Sequence, residues 1–273
     1  MRLALAQQHA SEDVEDNVRR GLAAMERAQA AGAQLIAFAE LSFLRFFPAR
    51  RAAVGGAREG EPIPGPTTER FQREARRLGL VTLVNLYEAD GARRFDSSAV
   101  IDADGTLLGV TRMLHITDMP GFHEQDYYDA GDRGAAVYPT RAGRVGVAIC
   151  YDRHYPEYMR ALGAGGAELV AIPQAGALDE WPEGLYEAEV RTAAFQNGYF
   201  VALCNRVGAE EELTFAGESF VVDPEGQVIV RGRRLGEDLV LTDVDLTSCA
   251  RSTARRLFLR DQRHELYRDW LSR

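Results

Sequence analysis

Three side chains that could share one covalent reaction lie far apart in the sequence, each at the end of an apolar run or in a nearby polar segment. Glu40 follows the run LIAFA, Cys150 ends the run VGVAIC, and Glu124 closes the segment TRMLHITDMPGFHE. A thiol attacks as its thiolate, and a neighbouring carboxylate can remove the thiol proton. Ligands of open α/β sheets collect beyond the carboxyl ends of strands. The pattern predicts a cysteine nucleophile with acids beside it.

Each of these residues also has a structural interpretation. A lone cysteine is usually a small buried apolar side chain, and a glutamate in an apolar strand usually has a structural partner. The segment YDRHYPE after Cys150 favours catalysis, because a strand that turns sharply into a proline-started helix exposes the side chain at the turn. Cys204 and Cys249 lack such a context, and we predict that they are structural.

The elements that must position these residues alternate between strands and helices. The segment RLALAQQ predicts a strand, and the spacing that follows predicts a helix with Ser11 as its N-cap and Gly32 as its stop. Further helices are predicted over 67–78 and 183–197. Paired strands interrupt the alternation, as in DSSAVIDADGTLLGV around a D-G turn. This mixture predicts an α/β protein with mixed sheets.

The composition excludes several classes of protein. The formal net charge of −9 argues against binding to nucleic acid or to a membrane surface. No apolar run approaches the ~20 residues of a membrane span, and the N-terminus lacks a signal-peptide pattern, so we predict a cytoplasmic protein. Three cysteines without metal-type spacing predict neither a disulfide framework nor a metal site. Without a phosphate loop or dinucleotide fingerprint, we predict no cofactor.

Six segments identify the chain as similar to the nitrilase, or carbon–nitrogen hydrolase, superfamily. In order they are AFAELSF, RMLHITDMPGFHEQDYYDAGDRG, VGVAICYDRHYPE, GAELVAIPQA, NGYFVALCNRVG and FAGESFVVDPEGQVI. The resemblance covers about residues 2 to 246. No Pro/Gly/Ser linker divides the chain, so we predict one carbon–nitrogen hydrolase domain over 1–273, with a C-terminal extension from about residue 247.

The resemblance implies a fold and a reaction. The fold is a four-layer α-β-β-α sandwich, assembled as homodimers or higher homo-oligomers. Glu40 is the general base for Cys150, whose thiolate attacks an amide, a carbamoyl group or, less often, a nitrile. Amine or ammonia leaves, and water hydrolyses the thioester. Glu124 positions the substrate or the water, and the backbone N–H of Tyr151 helps to hold the oxyanion.

The chain departs from the family at one catalytic position. It contains no lysine, and Met113 stands where the family has the lysine that helps to hold the oxyanion. Loss of one oxyanion donor costs about 10²–10³ in kcat. Without this cation, Glu40, Glu124 and the Cys150 thiolate place like charges in one pocket, and like charges raise one another's pKa.

Three groups could replace the missing charge. A carboxylic acid that stays protonated can donate a hydrogen bond to the oxyanion. Arg112 or Arg153 could swing into the pocket. His115 could act when protonated, although the family context makes it a structural residue bonded to the backbone. The sequence does not rank the three.

Two functions therefore remain open. The first is a hydrolase of non-peptide carbon–nitrogen bonds with an altered oxyanion site. The second is a catalytically impaired homologue that keeps the fold for ligand binding or assembly. We favour the first, because a site that had lost its function would not be expected to keep its acids and its nucleophile together.

The turn after the nucleophile also bears on the substrate. CYDRHYPE resembles the elbow of enzymes that act on N-carbamoyl amines and N-carbamoyl amino acids more than that of nitrile hydrolysers. Arg153 is predicted to bind a substrate carboxylate as a bidentate pair. The alternative is that Arg153 pairs with Asp152, Glu157 or another acid of the protein. The loop DEWPEGLYE is predicted to lie near the pocket mouth, and the acidic site would accept neutral or cationic small molecules.

Overall fold

The computed structural model describes residues 1–55, 59–210 and 212–271. The strands are β1 (Arg2–Gln7), β2 (Leu35–Phe38), β3 (Val81–Asp90), β4 (Arg93–Ile101), β5 (Leu107–Arg112), β6 (Val137–Thr140), β7 (Gly143–Val147), β8 (Leu169–Gln174), β9 (Phe200–Asn205), β10 (Val207–Glu210), β11 (Leu213–Ala216), β12 (Phe220–Val222), β13 (Val228–Arg231) and β14 (Asp238–Asp243). The helices are α1 (Val14–Ala30), α2 (Ala52–Gly55), α3 (Pro66–Leu78), α4 (Pro156–Ala164), α5 (Leu185–Asn197), α6 (Thr253–Arg256) and α7 (His264–Leu271).

Twelve of these strands form two six-stranded sheets. The first has the order β14-β1-β2-β3-β4-β5, and the second has the order β13-β12-β9-β8-β7-β6. In each sheet the three central strands are parallel, and antiparallel strands flank them. The prediction of mixed sheets is confirmed. Strands β10 and β11 form a separate two-stranded ribbon.

The two sheets pack face to face between two layers of helices. Helices α1 and α3 cover the first sheet, where the rings of Phe38, Phe43 and Phe71 lie 5.0–5.5 Å apart. Helices α4 and α5 cover the second sheet through a separate apolar cluster. A third cluster of valine, leucine and alanine side chains fills the space between the sheets. The predicted four-layer α-β-β-α sandwich is confirmed.

Helix α1 starts later than the sequence suggested. Its N-cap is Asp13, whose carboxylate accepts the N–H of Asp16 at 2.9 Å. Ser11 is not the cap, because its N–H and hydroxyl bond the side chain of Asn17 at 2.9 and 3.1 Å. Gly32 follows the helix with a φ of +83°, as expected of a residue that ends it.

The strands that carry the candidate catalytic residues end just before them. Strand β2 ends two residues before Glu40, and strand β7 ends three residues before Cys150. Because β2 and β7 belong to facing sheets, the sandwich brings the ends of both strands to one region. No helix in the described part of the chain has the length and apolar character needed to cross a membrane.

Candidate active site

Cys150 has an unusual backbone conformation. It begins a short 3-10 turn, Cys150–His154, and its φ of +43° lies in the left-handed region. A residue with a Cβ occupies this region at a cost in free energy, and such strain is concentrated at functional sites. The turn agrees with the elbow that the sequence predicted. The side chain is nevertheless only 5% exposed.

The Cys150 sulfur has a polar partner in Gln174, whose Nε2 donates to Sγ at 3.1 Å. Arg153 fixes this pair, because its Nη1 donates to the Cys150 carbonyl at 2.9 Å and to Gln174 Oε1 at 3.0 Å. Burial raises the pKa of the Cys150 thiol well above its ordinary value, and the charges of Glu40 and Glu124 raise it further. The charge of Arg153 lowers this pKa.

Glu40 is fully buried, and neither of its carboxyl oxygens has a hydrogen-bond partner within the described chain. Burial raises the pKa of Glu40 to about 8, and the charge of Glu124 adds to the rise. Cys150 and Asp96 lie close enough to the carboxyl group to lower the pKa in part. A carboxyl group with a pKa near neutrality is suited to general base catalysis.

The backbone around Glu40 is held by a buried arginine. Nη1 of Arg206 donates to the carbonyl oxygens of Glu40 and Leu41 at 2.9 and 2.5 Å. Its Nη2 donates to Glu210 Oε1 at 2.5 Å, so the charge of Arg206 is balanced. Leu41 has a φ of +44°, so the acid and the nucleophile both lie at strained turns.

Glu124 is the second buried acid of the site. It begins the 3-10 turn Glu124–Asp126, and its two carboxyl oxygens have no hydrogen-bond partner among the described residues. Burial raises the pKa of Glu124 well above its ordinary value, and the charge of Asp96 raises it further. The charge of Glu124 acts on both Glu40 and Cys150, so the three predicted catalytic residues belong to one electrostatic cluster.

Sequence reasoning missed two members of this cluster, Asp96 and Tyr128. Asp96 is fully buried on β4, and burial followed by the charge of Glu40 raises its pKa well above the ordinary value. Burial also raises the pKa of the Tyr128 hydroxyl, with further contributions from Asp96, Glu124 and Glu40. The signal for Asp96 was the polar run DSS inside an otherwise apolar strand.

Met113 is fully buried in the core between the sheets, in the same apolar cluster as Cys150. Its backbone N–H donates to the Asp96 carbonyl at 2.9 Å, which ties it to β4. The residue before it, Arg112, is bound elsewhere. The Arg112 guanidinium bonds Glu88 at 2.6 and 2.9 Å and Asp90 at 2.7 Å, and lies over the Phe95 ring at 3.8 Å.

His115 is also engaged with an acid. Its Nδ1 lies 2.7 Å from Asp152 Oδ1, and its ring stacks on Tyr155 with the centroids 3.4 Å apart. The backbone N–H groups of Leu114 and His115 donate to the same Asp152 carboxylate at 3.1 and 3.0 Å. These contacts join the segment that contains Met113 to the turn that contains Cys150.

Arg153 is buried and forms an ion pair with Glu189 of α5, at 3.4 Å from Nε to Oε2. Glu189 also contacts His154 Nδ1 at 2.7 Å. The Arg153 guanidinium lies 4.2 Å from the centre of the Tyr186 ring. Its ion pair is therefore with an acid of helix α5 rather than with Asp152 or Glu157, and its predicted contact with substrate stays a prediction.

A cavity of about 550 Å³ lies beside the site, lined mainly by the segment from Gly176 to Glu187 with its Trp181 and Pro182. Cys150, Glu40 and Glu124 do not line this cavity. Tyr186 does, and its hydroxyl accepts from Gln174 Nε2 at 3.3 Å and donates to Glu180 at 2.6 Å. Gln174 therefore links the Cys150 sulfur to a residue that lines the cavity. Among the described residues, no three His, Cys, Asp or Glu side chains could hold a metal ion.

Comparison with known proteins agrees with this fold. The family model described as carbon-nitrogen hydrolase matches residues 2–254. An N-carbamoylputrescine amidase of Arabidopsis thaliana is 31% identical over 272 residues, covering 94% of this chain and 91% of the relative. The chain belongs to the carbon–nitrogen hydrolase family.

Two solved structures extend the agreement to three dimensions. A carbon-nitrogen hydrolase from Helicobacter pylori G27 superposes with a TM-score of 0.89 at 26% identity, covering 99% of this chain and 98% of that one. An amidase from Nesterenkonia sp. AN1 superposes with a TM-score of 0.83 at 27% identity, covering 99% and 96%. That structure is a glutamate-to-glutamine mutant with the acetamide moiety of fluoroacetamide covalently added at the active-site cysteine.

Proposed function

We propose that this chain hydrolyses a non-peptide carbon–nitrogen bond in an amide or N-carbamoyl substrate through a thioester on Cys150. The observation that carries the proposal is the φ of +43° at Cys150, at the start of a short turn. A strained non-glycine residue persists where the fold over-determines it, commonly at a catalytic site. The buried carboxyl groups of Glu40 and Glu124 beside it supply the base that a thiol requires.

The reaction follows from these positions. Glu40 takes the proton of the Cys150 thiol, and the thiolate forms a bond to the carbonyl carbon while the π electrons move to the oxygen. The oxyanion collapses, the carbon–nitrogen bond breaks, and the leaving nitrogen takes the proton that Glu40 held. Water then attacks the thioester, Glu40 accepts a water proton and returns it to the sulfur, and the acid is released. Glu124 positions the substrate or the water.

The oxyanion in this proposal is held without a lysine. Met113 occupies the position of the family lysine, and the N–H of Tyr151 is the backbone donor. Of the possible replacements, a protonated carboxylic acid has the best support, because burial raises the pKa of both Glu40 and Glu124. Arg112 and His115 have less support, since both are already paired with acids.

An N-carbamoyl amine is the substrate class that we favour. The support is the elbow sequence CYDRHYPE and the similarity to an N-carbamoylputrescine amidase. Arg153 is our candidate for binding a substrate carboxylate, although such a substrate would compete with Glu189 for the guanidinium. A substrate without a carboxylate leaves that ion pair intact. Competition between substrates with and without a carboxylate would therefore show whether Arg153 binds the substrate.

A second candidate function is a catalytically impaired homologue that binds a ligand or serves in assembly. The observation that favours it is the 5% exposure of Cys150, together with the complete burial of both acids. Cys150 is also not among the residues that line the neighbouring cavity. Assembly into a homodimer or larger homo-oligomer is part of both proposals, and it rests on the family resemblance.

Thiol labelling tests the nucleophile directly. We expect a limiting amount of iodoacetamide near neutral pH to modify Cys150 before Cys204 and Cys249, as measured by peptide mass spectrometry. Glu40→Gln is the control, and it should slow the modification of Cys150 alone. Equal labelling of all three cysteines in the folded protein would favour the impaired homologue.

Turnover is tested with simple amides and N-carbamoyl amines by the release of ammonia. We expect measurable release that Cys150→Ala abolishes. Selective labelling of Cys150 without turnover of any member of the panel would leave a reactive thiol without the hydrolase function. Turnover that survives Cys150→Ala would overturn the thioester mechanism.

A further inference from the structure

Asp96 is a buried acid that the proposed mechanism does not use. It lies on β4 and is completely inaccessible to solvent. Its Oδ1 accepts a hydrogen bond from Asn85 Nδ2 at 2.5 Å, whereas its Oδ2 has no hydrogen-bond partner in the described part of the chain. An ionised carboxylate is costly to bury without partners, so this arrangement favours a protonated acid.

Asn85 joins Asp96 to the backbone next to Glu40. Its Oδ1 accepts the N–H of Leu41 at 2.7 Å, while its Nδ2 bonds both Asp96 and, at 3.1 Å, the hydroxyl of Ser98. One amide side chain therefore fixes the Asp96 carboxyl group and the residue that follows the base. The chain of bonds from Asp96 through Asn85 to Leu41 agrees with the electrostatic coupling between the Asp96 and Glu40 carboxyl groups.

The hydrogen bond that Asp96 accepts also indicates which of its two oxygens carries the proton. Because Oδ1 accepts an N–H, the proton belongs on Oδ2, the oxygen that is free to bond Glu40. Burial raises the pKa of Asp96 well above its ordinary value, and the charge of Glu40 raises it further. A hydrogen bond donated by Asp96 to Glu40 would raise the pKa of Asp96 and lower that of Glu40. Glu40 therefore ionises first.

The other titratable groups around Asp96 act in the same direction. Asp152 raises its pKa, and Glu124 and Tyr128 are coupled to it by repulsion between their charged forms. Arg206 acts on Glu40, whose pKa it lowers. Of the two groups, Asp96 therefore holds its proton more strongly, and Glu40 is the first to ionise.

We propose that Asp96 is a positioning residue that keeps its proton while Glu40 ionises and donates a hydrogen bond from Oδ2 to the Glu40 carboxylate. A neutral acid thereby stabilises the charged base in a pocket that has no lysine. The inference rests on the proposed function, because it assigns Glu40 the role of the base. It adds to that function the group that stabilises the ionised form of the base.

The pH dependence of Cys150 alkylation by iodoacetamide tests this role in wild type, Asp96→Asn and Asp96→Leu. Asparagine can accept from Asn85 through Oδ1 and donate to Glu40 through Nδ2, whereas leucine can do neither. We expect Asp96→Asn to keep the apparent pKa of the reaction and a rate within about threefold of wild type. Asp96→Leu should raise the apparent pKa and slow alkylation at pH 7 by about tenfold or more, as expected for loss of a hydrogen bond to a charged group.

The direction in which the apparent pKa of alkylation changes distinguishes a protonated Asp96 from an ionised one. If Asp96 were ionised, both substitutions would remove a negative charge and lower the apparent pKa of Glu40, which overturns the proposal. If Asp96→Leu fails to fold, Asp96→Asn alone still separates an unchanged pKa from a lowered one. A purely structural role predicts a loss of stability without a shift in the pH profile.

Infrared difference spectroscopy gives a measurement that needs no turnover. At about pH 9, the wild-type minus Asp96→Asn spectrum should contain the C=O band of a protonated carboxyl group. Carboxylate bands in its place would overturn the proposal. The proposed function fails separately, by equal labelling of the three cysteines in wild type, so the two failures are distinguishable.

Discussion

Arg112 and Met113 are neighbours in the chain but lie on opposite faces of the first sheet. Consecutive residues of an extended strand point to opposite sides. On the Arg112 side, the guanidinium bonds the carboxylates of Glu88, Asp90 and Asp132 at 2.6, 2.7 and 3.0 Å. The hydrogen bond from Arg112 lowers the pKa of Asp132, so this acid stays ionised. We call Arg112 and its three acids the compensated cluster.

The side of Met113 contains the opposite arrangement. Glu40, Asp96 and Glu124 are all fully buried, and the four carboxyl oxygens of Glu40 and Glu124 lack hydrogen-bond partners in the described residues. Their pKa values are raised, first of all by burial. We call these three acids the uncompensated cluster. The comparison teaches that an acid paired with Arg112 at the edge of the first cluster has a lowered pKa, whereas three fully buried acids without a paired cation have raised ones.

Breaking the compensated cluster should have the largest effect. Arg112→Met removes a cation that is 3% exposed and leaves buried Glu88 without its ion-pair partner. We expect the free energy of unfolding to fall by about 3–5 kcal/mol, measured by urea denaturation at pH 7. The control is Arg93→Met, because Arg93 also pairs with Asp132 but is 47% exposed. Its loss should be below about 1 kcal/mol, and equal losses would contradict the comparison.

Removing an acid from the uncompensated cluster should stabilise the protein. Folded Glu40 holds its proton up to about pH 8, whereas the unfolded group ionises near 4.5, so its contribution to stability is present below pH 4.5 and lost as the pH rises to about 8. At pH 8, the free energy of unfolding of Glu40→Gln should therefore exceed that of wild type by about 2–4 kcal/mol.

The same variant should differ little from wild type at pH 4. Parallel urea titrations at the two pH values measure the difference, and turnover measures the loss of the base. A difference that is equal at both pH values would show that the pKa of Glu40 is not raised in the folded protein.

Placing a cation in the uncompensated cluster should make it more like the compensated cluster. Met113→Lys introduces an ammonium group among buried acids, which lowers their pKa values and favours the thiolate. We expect Cys150 alkylation at pH 7 to become about 10- to 100-fold faster, the effect of one to two pKa units on the thiol. Met113→Leu controls for packing. If both variants react at the same rate in folded protein, the side chain at 113 does not face the site.

The smallest effect concerns a neutral donor. Gln174 Nε2 donates to the Cys150 sulfur at 3.1 Å, so Gln174→Leu should raise the thiol pKa and slow alkylation about three- to tenfold. Gln72→Leu is the control, because Gln72 bonds the Gly105 carbonyl far along the chain from the nucleophile. A rate for Gln174→Leu that equals the control would mean that the sulfur does not depend on this donor.

The fold could be predicted largely from the sequence. Apolar runs and turn residues located the strands and helices within a few residues, and the ordered family segments implied the four layers. The errors were at ends, such as the N-cap of α1, where Asp13 replaced Ser11 because Asn17 bonds Ser11. Competition between side chains for one helix end depends on local geometry that spacing does not reveal.

Prediction of the site was less complete. The sequence named Glu40, Glu124 and Cys150, which carry the chemistry through their own functional groups. It missed Asp96, because an aspartate in a strand looks like a solvent-facing residue until the opposite sheet covers it. It also left Arg112 as a possible cation for the pocket, although the alternation of β5 directs that side chain to the other face.

The amino-acid sequence by itself determined which functional groups exist in this protein: two candidate acids, a nucleophile at a sharp turn, and no lysine. These are properties of residue type and local spacing. Only the tertiary structure decided the charge of the acids, because the pKa of a carboxyl group depends on its burial and its neighbours. Packing of two sheets removed water from Glu40, Asp96 and Glu124, and the geometry of one strand kept Arg112 away from them.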